Sequence, residues 1–237
     1  MNGTLDDAGV LRVWELGRIR HPIDRALLML HAAEPMTSYD DLADLPIGER
    51  DARLLELRAQ HFGSHVSAVA TCTECGEGVE FSIDDLSATD RKTEGRAQIV
   101  IDGRTVALRA LSSRDLAGAV STEGHYAMLV LARRALDSDD AVDDAAIEAS
   151  IDDIARALAE IDPRADLTVG LTCPSCEHTW ESPVDPPSFL WTQLAARARR
   201  LLNDVHELAL RYGWTEAETL ALTPERREAY LELGGAR

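Results

Sequence analysis

The chain has 237 residues, enough for one sizeable hydrophobic core or two small ones. Its 42 acidic residues outnumber its 24 basic residues and give a formal net charge of −18. A field of that sign repels phosphates, so the balance argues against a protein whose main surface binds DNA or RNA. Solubility, or a host whose proteins are generally acidic, is the simplest explanation of the acidic composition.

The sequence contains no sign of a membrane segment or an export signal. No stretch approaches the run of about 18 apolar residues that a membrane helix needs. The first residues, MNGTLDDAGVLRVWE, lack the basic start and apolar block of a secretory signal. Four cysteines in two CxxC pairs favour reduced thiols over a disulfide framework. We therefore expect a soluble, cytoplasmic protein with no membrane partner.

Residues 1–65 are predicted to be a helical region. Apolar residues recur at helical spacing in LRVWELGRIRHPIDRALLMLHAAEP, and Thr37 or Ser38 can cap a short helix after it. A further helix is predicted from Arg50 to Phe62, with Gly63 as its C-terminal stop.

The apolar period changes from that of a helix to that of a strand at Val66. VSAVATC and GVEFSI predict strands around the first CxxC, and AQIVIDGRTVALRAL predicts a hairpin with Asp102 and Gly103 in its tight turn. Helices are expected in SSRDLAGAV, HYAMLVLARRALDS and SDDAVDDAAIEASIDDIARALAEIDP. The early acidic residues of the last stretch suit the positive end of a helix dipole. Residues 84–165 are thus a predicted α+β segment.

Strand character returns in ADLTVGLTC and HTWESPV, around the second CxxC, and residues 185–237 are predicted to be helical. An apolar stripe at spacings of three and four residues indicates one long helix, which Gly213 ends. The stripe consists of Leu190, Leu194, Ala198, Leu201, Val205, Leu208 and Tyr212. TEAE then forms a capping box, and Thr223 followed by Pro224 opens the last helix.

The four cysteines of the chain are Cys72, Cys75, Cys173 and Cys176, in two pairs of equal spacing. Two thiolates separated by two residues in a tight turn can reach one metal ion at about 2.3 Å, and two such turns complete a tetrahedron. The contexts TCTECGEGVEFSI and LTCPSCEHTWESP each indicate strand, turn, strand. The spacing therefore predicts one Zn²⁺ per chain. Because four thiolates leave no coordination position open, the site is expected to be structural and not catalytic.

Two other arrangements are compatible with paired cysteines. A CxxC can be a thioredoxin-like redox pair, but that pair requires a helix N-terminus, and here glycine and strand residues follow. The thiols could also be buried without metal, although turns are a poor place to bury sulfur. His178, two residues beyond Cys176, is expected to donate to a thiolate or to be exposed rather than to be a fifth ligand.

Together these elements predict an α+β fold in which helical N- and C-terminal regions surround a zinc-ribbon β core. Residues 66–83 and 166–184 form the expected ribbon. Residues 84–165 are an expected insertion, a hairpin with helices, that leaves the ribbon and returns to it. Because zinc would close this long loop, folding of the centre is expected to depend on the metal.

The sequence gives no sign of a catalytic site. It lacks a glycine-rich phosphate loop, GxSxG and HExxH, and its seven histidines are scattered. We expect no enzymatic activity and no small-molecule substrate. The arginines of ARARRLLNDVHELALRYGW lie on an amphipathic helix. They fit a core-facing helix with a solvated basic side, or a docking helix for an acidic partner, or a weak nucleic-acid patch.

Several stretches spread over the chain carry a resemblance to a known family. They are VWELG, LPIGERDARLLELRAQHFG, CTECGEGVEF, LRALSSRDLAGA, CPSCEHTW and FLWTQLAARARRLLNDVHELALRYGWTEAETLALTPERREAYLEL. The C-terminal stretch is the most specific, particularly VHELALRYGWTEAE followed by LTPERREAYLEL. In these stretches the sequence resembles the T-even type of tailed-phage baseplate proteins, a family also encoded in contractile injection system gene clusters.

The resemblance implies a non-enzymatic structural component or assembly factor of the baseplate of a contractile tail. Its implied partners are other baseplate and tail proteins, such as hub, spike or wedge components, and no nucleic acid is expected. The only chemistry it carries over to this chain is that of the four cysteines. The alternative is a zinc-ribbon nucleic-acid or transcription accessory protein, which would bind DNA or RNA in a salt-sensitive manner.

Overall fold

The computed structural model describes residues 5–83, 94–137 and 142–235, and within them the fold is α+β, with helices and three antiparallel two-stranded hairpins. The helices are α1 (Asp7–Gly17), α2 (Pro22–Ala33), α3 (Tyr39–Ala43), α4 (Ile47–Phe62), α5 (Ser113–Ala119), α6 (Gly124–Ala135), α7 (Asp144–Ala149), α8 (Ile151–Ile161), α9 (Pro186–Tyr212), α10 (Glu216–Leu220) and α11 (Pro224–Gly235). The strands are β1 (Val66–Thr71), β2 (Gly78–Ile83), β3 (Arg96–Ile101), β4 (Arg104–Arg109), β5 (Thr168–Thr172) and β6 (Thr179–Pro183).

A helical core brings the two ends of the chain together. It contains apolar residues of α1, α2, α4 and α9, so the C-terminal helix packs directly on the N-terminal region. The predicted stripe of α9 is buried over its first four members and at Leu208. Val205 is half-buried, and Tyr212 is exposed and stacks on Trp214. The first half of α9 is therefore the part that holds the core together.

An ion-pair network fastens α1 to α9 and α11. The carboxylate of Asp7 accepts hydrogen bonds from Arg197 at 2.6 Å and from Arg227 at 2.7 Å, and Arg227 also lies 3.1 Å from Asp204. Burial alone would raise the pKa of Asp7, but the hydrogen bonds and charges of Arg227 and Arg197 outweigh it and hold the pKa below its usual value. The folded state thus favours the ionised carboxyl.

The central part of the chain has a hydrophobic core of its own. The hairpin of β3 and β4 turns at Asp102 and Gly103, which have φ angles of 49° and 73°, as the sequence predicts. Its buried face packs against α6 and α8, around residues such as Leu108 and Ile154. The acidic stretch before residue 163 forms two helices, because the chain leaves helical geometry at Ser150. The expected start of this segment at residue 84 lies outside the described residues.

Backbone hydrogen bonds join the central part to the start of α4. This helix begins at Ile47 rather than at Arg50, and the Ile47 N–H donates to the carbonyl of Leu111 at 2.9 Å. The Gly48 N–H donates to the Asp162 carboxylate at 2.9 Å. Residues from the centre therefore satisfy donors at the helix N-terminus that have no partner within the helix.

Several other helix ends follow the predicted signals. Ser38 caps α3, and Gly63 and Gly213 follow the ends of α4 and α9 with positive φ angles. Ser112 and Thr215 each form a capping box. Among the helices of the described residues, none combines the length and the apolar character needed to cross a membrane.

Candidate metal centre

The first cysteine pair lies at the tip of the hairpin formed by β1 and β2. Thr71 pairs with Gly78 at the end of the ladder, and the turn between them contains Cys72 and Cys75. The Cys72 N–H donates to the carbonyl of Glu77 at 2.8 Å, and its carbonyl accepts from the Gly76 N–H at 3.0 Å. These bonds fold the CxxC into a tight turn in which both sulfur atoms face the same side.

The second cysteine pair repeats this turn between β5 and β6. The Cys173 N–H donates to the carbonyl of His178 at 2.9 Å, and its carbonyl accepts from the Glu177 N–H at 2.9 Å. Glu177 has a φ of 60°, and the corresponding Gly76 has a φ of 76°. The left-handed backbone favours glycine, so the turn itself holds Glu177 in an unfavourable conformation.

The two turns bring all four sulfur atoms together. The Cys72 and Cys176 Sγ atoms are 3.7 Å apart, and those of Cys75 and Cys173 are 3.6 Å apart. All four Sγ atoms lie within 4.8 Å of one another, and the four cysteines are free of disulfide bonds. The predicted residues thus form one cluster, which could hold a metal ion.

The cluster is covered on one side and open on the other. Cys72 and Cys173, the first cysteine of each pair, are buried together with Val79, and Trp180 packs against them. Cys75 and Cys176 are exposed at the tips of the turns. The two hairpins form separate two-stranded sheets, so their contact depends largely on the cysteine turns.

The sulfur atoms influence each other's ionisation. The backbone N–H groups of Cys75 and Glu74 donate to the Cys72 sulfur and lower the pKa of its thiol to about 6. The backbone N–H of His178 lowers the pKa of Cys176, but loss of solvation and the three neighbouring sulfurs outweigh it and raise that pKa to about 12. Four negative charges at this spacing repel one another, so a cation at the centre would favour the fully ionised cluster.

His178 does not have the partner that the sequence suggests. Its ring is half-buried, its Nε2 lies 3.0 Å from the hydroxyl of Thr73 in the opposite turn, and the ring stacks on Trp180. The Cys176 sulfur instead interacts with the backbone N–H of His178. Sequence reasoning missed this link between the turns, and also the left-handed Glu177. A signal existed for Glu177, since it occupies the position of Gly76 in the repeated turn.

Comparison with protein-family models, with curated proteins and with solved structures gave no match to this chain.

Proposed function

We propose that Cys72, Cys75, Cys173 and Cys176 together bind one Zn²⁺ as thiolates. Zinc bonded to sulfur at about 2.3 Å in a tetrahedron requires neighbouring sulfurs about 3.8 Å apart. Two of the six sulfur separations, 3.6 and 3.7 Å, are close to this value and far longer than a disulfide bond, and all six are within 4.8 Å. The sulfur spacing is the single observation that carries the proposal.

The zinc has a structural role in this proposal. Cysteine sulfur fills all four tetrahedral positions, so no position remains for a substrate or an activated water. The ion would join two hairpins that are far apart in sequence, since Cys75 and Cys173 are separated by 98 positions. Its effect is to fix where the central part of the chain leaves and rejoins the rest.

We further propose that the chain is a non-enzymatic structural component or assembly factor of a contractile tail or injection system baseplate, assembled in the bacterial cytosol. The sequence resemblance supports this role, above all in the C-terminal stretch that forms the end of α9, α10 and α11. A metal centre whose four coordination positions are all filled by cysteine, in a mainly helical protein, suits a chain that works by binding other proteins. Hub, spike or wedge proteins are the proposed partners.

Affinity capture from cells that assemble the particle tests this role. Tagged wild-type protein should recover baseplate or tail proteins in amounts comparable to the bait. A variant with Cys72→Ser and Cys173→Ser serves as a matched control, because it should lose the metal and the ordered hairpins. Recovery of only ribosomal proteins or RNA polymerase would contradict the proposal and favour a nucleic-acid accessory role.

A further inference from the structure

An arginine-lined cleft of about 800 Å³ lies between the end of α4, the middle of α9 and the start of α11. Its apolar wall is formed by Phe62, Leu201, Pro224 and Leu231. Its basic side chains are Arg197, Arg199, Arg200 and Arg227, and Asp204 and Glu228 are its acidic ones. Four arginines around one cleft are a local concentration of positive charge in a chain of net charge −18.

The four arginines differ in how far they are neutralised. Arg197 and Arg227 share the carboxylate of Asp7, at 2.6 and 2.7 Å. Arg199 and Arg200 are exposed on the rim, and neither forms an ion pair or a side-chain hydrogen bond with another described residue. The charge of Arg200 also acts on Asp204, where it opposes the rise in pKa that burial causes. The rim therefore offers two exposed guanidinium groups whose N–H donors are not used by other described residues.

Arg227 is the most buried of the four cleft arginines. The residue is only 5% exposed, and its Nη1 is buried with no hydrogen-bond partner among the residues that the structure describes. Its Nε and Nη2 are bound to Asp204 and Asp7. Arg227 is thus held by the protein's own carboxylates and its Nη1 is shielded from solvent, so the positive charge accessible to a ligand comes mainly from the rim.

We propose that this cleft binds an acidic segment of a partner protein that has apolar side chains next to its carboxylates. The planar guanidinium group matches a carboxylate in two-pronged geometry, and the apolar wall can receive a leucine or phenylalanine side chain. A nucleic acid fits less well, because it carries a charge on every nucleotide and would meet the acidic field of the chain along its whole length. A short acidic segment instead places few charges near the rim, and its apolar side chains match the apolar wall. The inference concerns how a partner is recognised and does not depend on which machine contains the protein.

A fluorescence-polarisation assay tests the proposal on the full chain. The probes are a labelled six-residue peptide of alternating glutamate and leucine, its glutamine and leucine counterpart, and a six-nucleotide oligothymidylate. The glutamate peptide should bind, and the glutamine peptide should bind about tenfold more weakly or worse, because it lacks the charge. Arg199→Gln with Arg200→Gln should weaken glutamate-peptide binding about fivefold or more.

A variant with Arg20→Gln and Arg104→Gln is the matched control, since it removes two exposed arginines that do not line the cleft. It should bind the glutamate peptide like the wild type. Equal binding of the two peptides, no binding of either, or an unchanged affinity of the rim variant would overturn the proposal. Tighter binding of the oligothymidylate would instead assign the cleft to nucleic acid. If the wild type binds no peptide but forms a dimer that the rim variant does not form, the cleft would be assigned to a second copy of this acidic chain.

Discussion

Removal of the metal is expected to unfold the two cysteine hairpins while the two larger cores stay folded. Among the described residues, the two hairpins have a very small core of their own. It consists of Cys72, Val79 and Cys173, and Trp180 packs against it. An isolated two-stranded hairpin is at best marginally stable in water. The helical core and the central core each contain many more buried apolar residues, so they do not need the metal in the same way.

The size of the effect follows from what limits amide exchange in the strands. With zinc bound, opening a hairpin requires release of the ion, so the free energy of zinc binding limits the exchange of the strand amides. A binding free energy of about 5 kcal/mol or more slows exchange by at least about a thousandfold. Without zinc the hairpins open freely. Exchange in β1, β2, β5 and β6 should therefore accelerate by about a thousandfold or more.

Hydrogen exchange followed by mass spectrometry, with and without a zinc chelator, measures this change by segment. Peptides from the first half of α9 and from β3 and β4 should change less than about tenfold. The variant with Cys72→Ser and Cys173→Ser should show fast hairpin exchange with or without chelator. Unchanged hairpin protection in protein shown to be free of metal would refute the reasoning. Equal loss in the central core would restore the simpler sequence-based expectation that the whole centre depends on the metal.

Four substitutions test other contacts. Asp7→Asn should lower the free energy of unfolding by about 2 kcal/mol at pH 7. The loss should be smaller than that caused by breaking a fully buried ion pair, because Arg197, one of the two partners of Asp7, is partly exposed. The lowered pKa of Asp7 stabilises the fold only while the carboxyl is ionised, so this difference should shrink as the pH falls below about 4. Gly17→Ala places a Cβ 2.6 Å from the Trp191 ring and should cost about 1–2 kcal/mol, despite the better helix propensity of alanine. Glu177→Gly should stabilise the second cysteine turn by up to about 1 kcal/mol, whereas Gly76→Ala should destabilise the first by about 1 kcal/mol, since both positions have positive φ angles.

Denaturant unfolding monitored by circular dichroism checks the first two substitutions, and competition with a zinc chelator checks the turn variants. A difference between Asp7→Asn and wild type that stays constant from pH 7 to pH 3 would show that the carboxylate charge is not what stabilises the network. A Gly17→Ala variant as stable as wild type would show that the Trp191 ring moves aside at little cost. Weaker zinc retention in Glu177→Gly would contradict the idea that its backbone is strained.

Features set by neighbouring residues could be predicted from the sequence. The stops at Gly63 and Gly213, the capping box at Thr215 and the tight turn at Asp102 depend on local hydrogen bonds and on the φ angles that each residue type allows. The grouping of the four cysteines was also predictable, because a CxxC between two strands places both of its sulfurs in one tight turn and this pattern occurs twice. The structure confirms that the four residues form one cluster.

Features that need a distant partner could not be predicted. The start of α4 is an example, since the acceptors of the Ile47 and Gly48 N–H groups lie on Leu111 and Asp162, far along the chain. The partner of the His178 ring, Thr73, lies 105 positions away. Neither of these long-range contacts leaves a periodic signal in the sequence, because only the fold brings the groups together.

The arginine-lined cleft illustrates both cases. The sequence shows that arginines concentrate on one amphipathic helix, and it leaves open a solvated face, an acidic partner or a nucleic-acid patch. It does not show that Arg227 of α11 lines the same cleft, or that Asp7 of α1 pairs with Arg197 and Arg227 while Arg199 and Arg200 stay exposed on the rim. Those facts follow from how α1 and α11 dock on α9.

The metal itself tests the central claim most directly. Full-length protein purified without added metal should contain about one zinc per chain, and X-ray absorption at the zinc edge should show four sulfur neighbours at about 2.3 Å. The variant with Cys72→Ser and Cys173→Ser should contain almost none. Substoichiometric metal in well-folded wild-type protein, stoichiometric iron in place of zinc, or nitrogen and oxygen neighbours around the ion would contradict the assignment of a structural zinc held by the four cysteines.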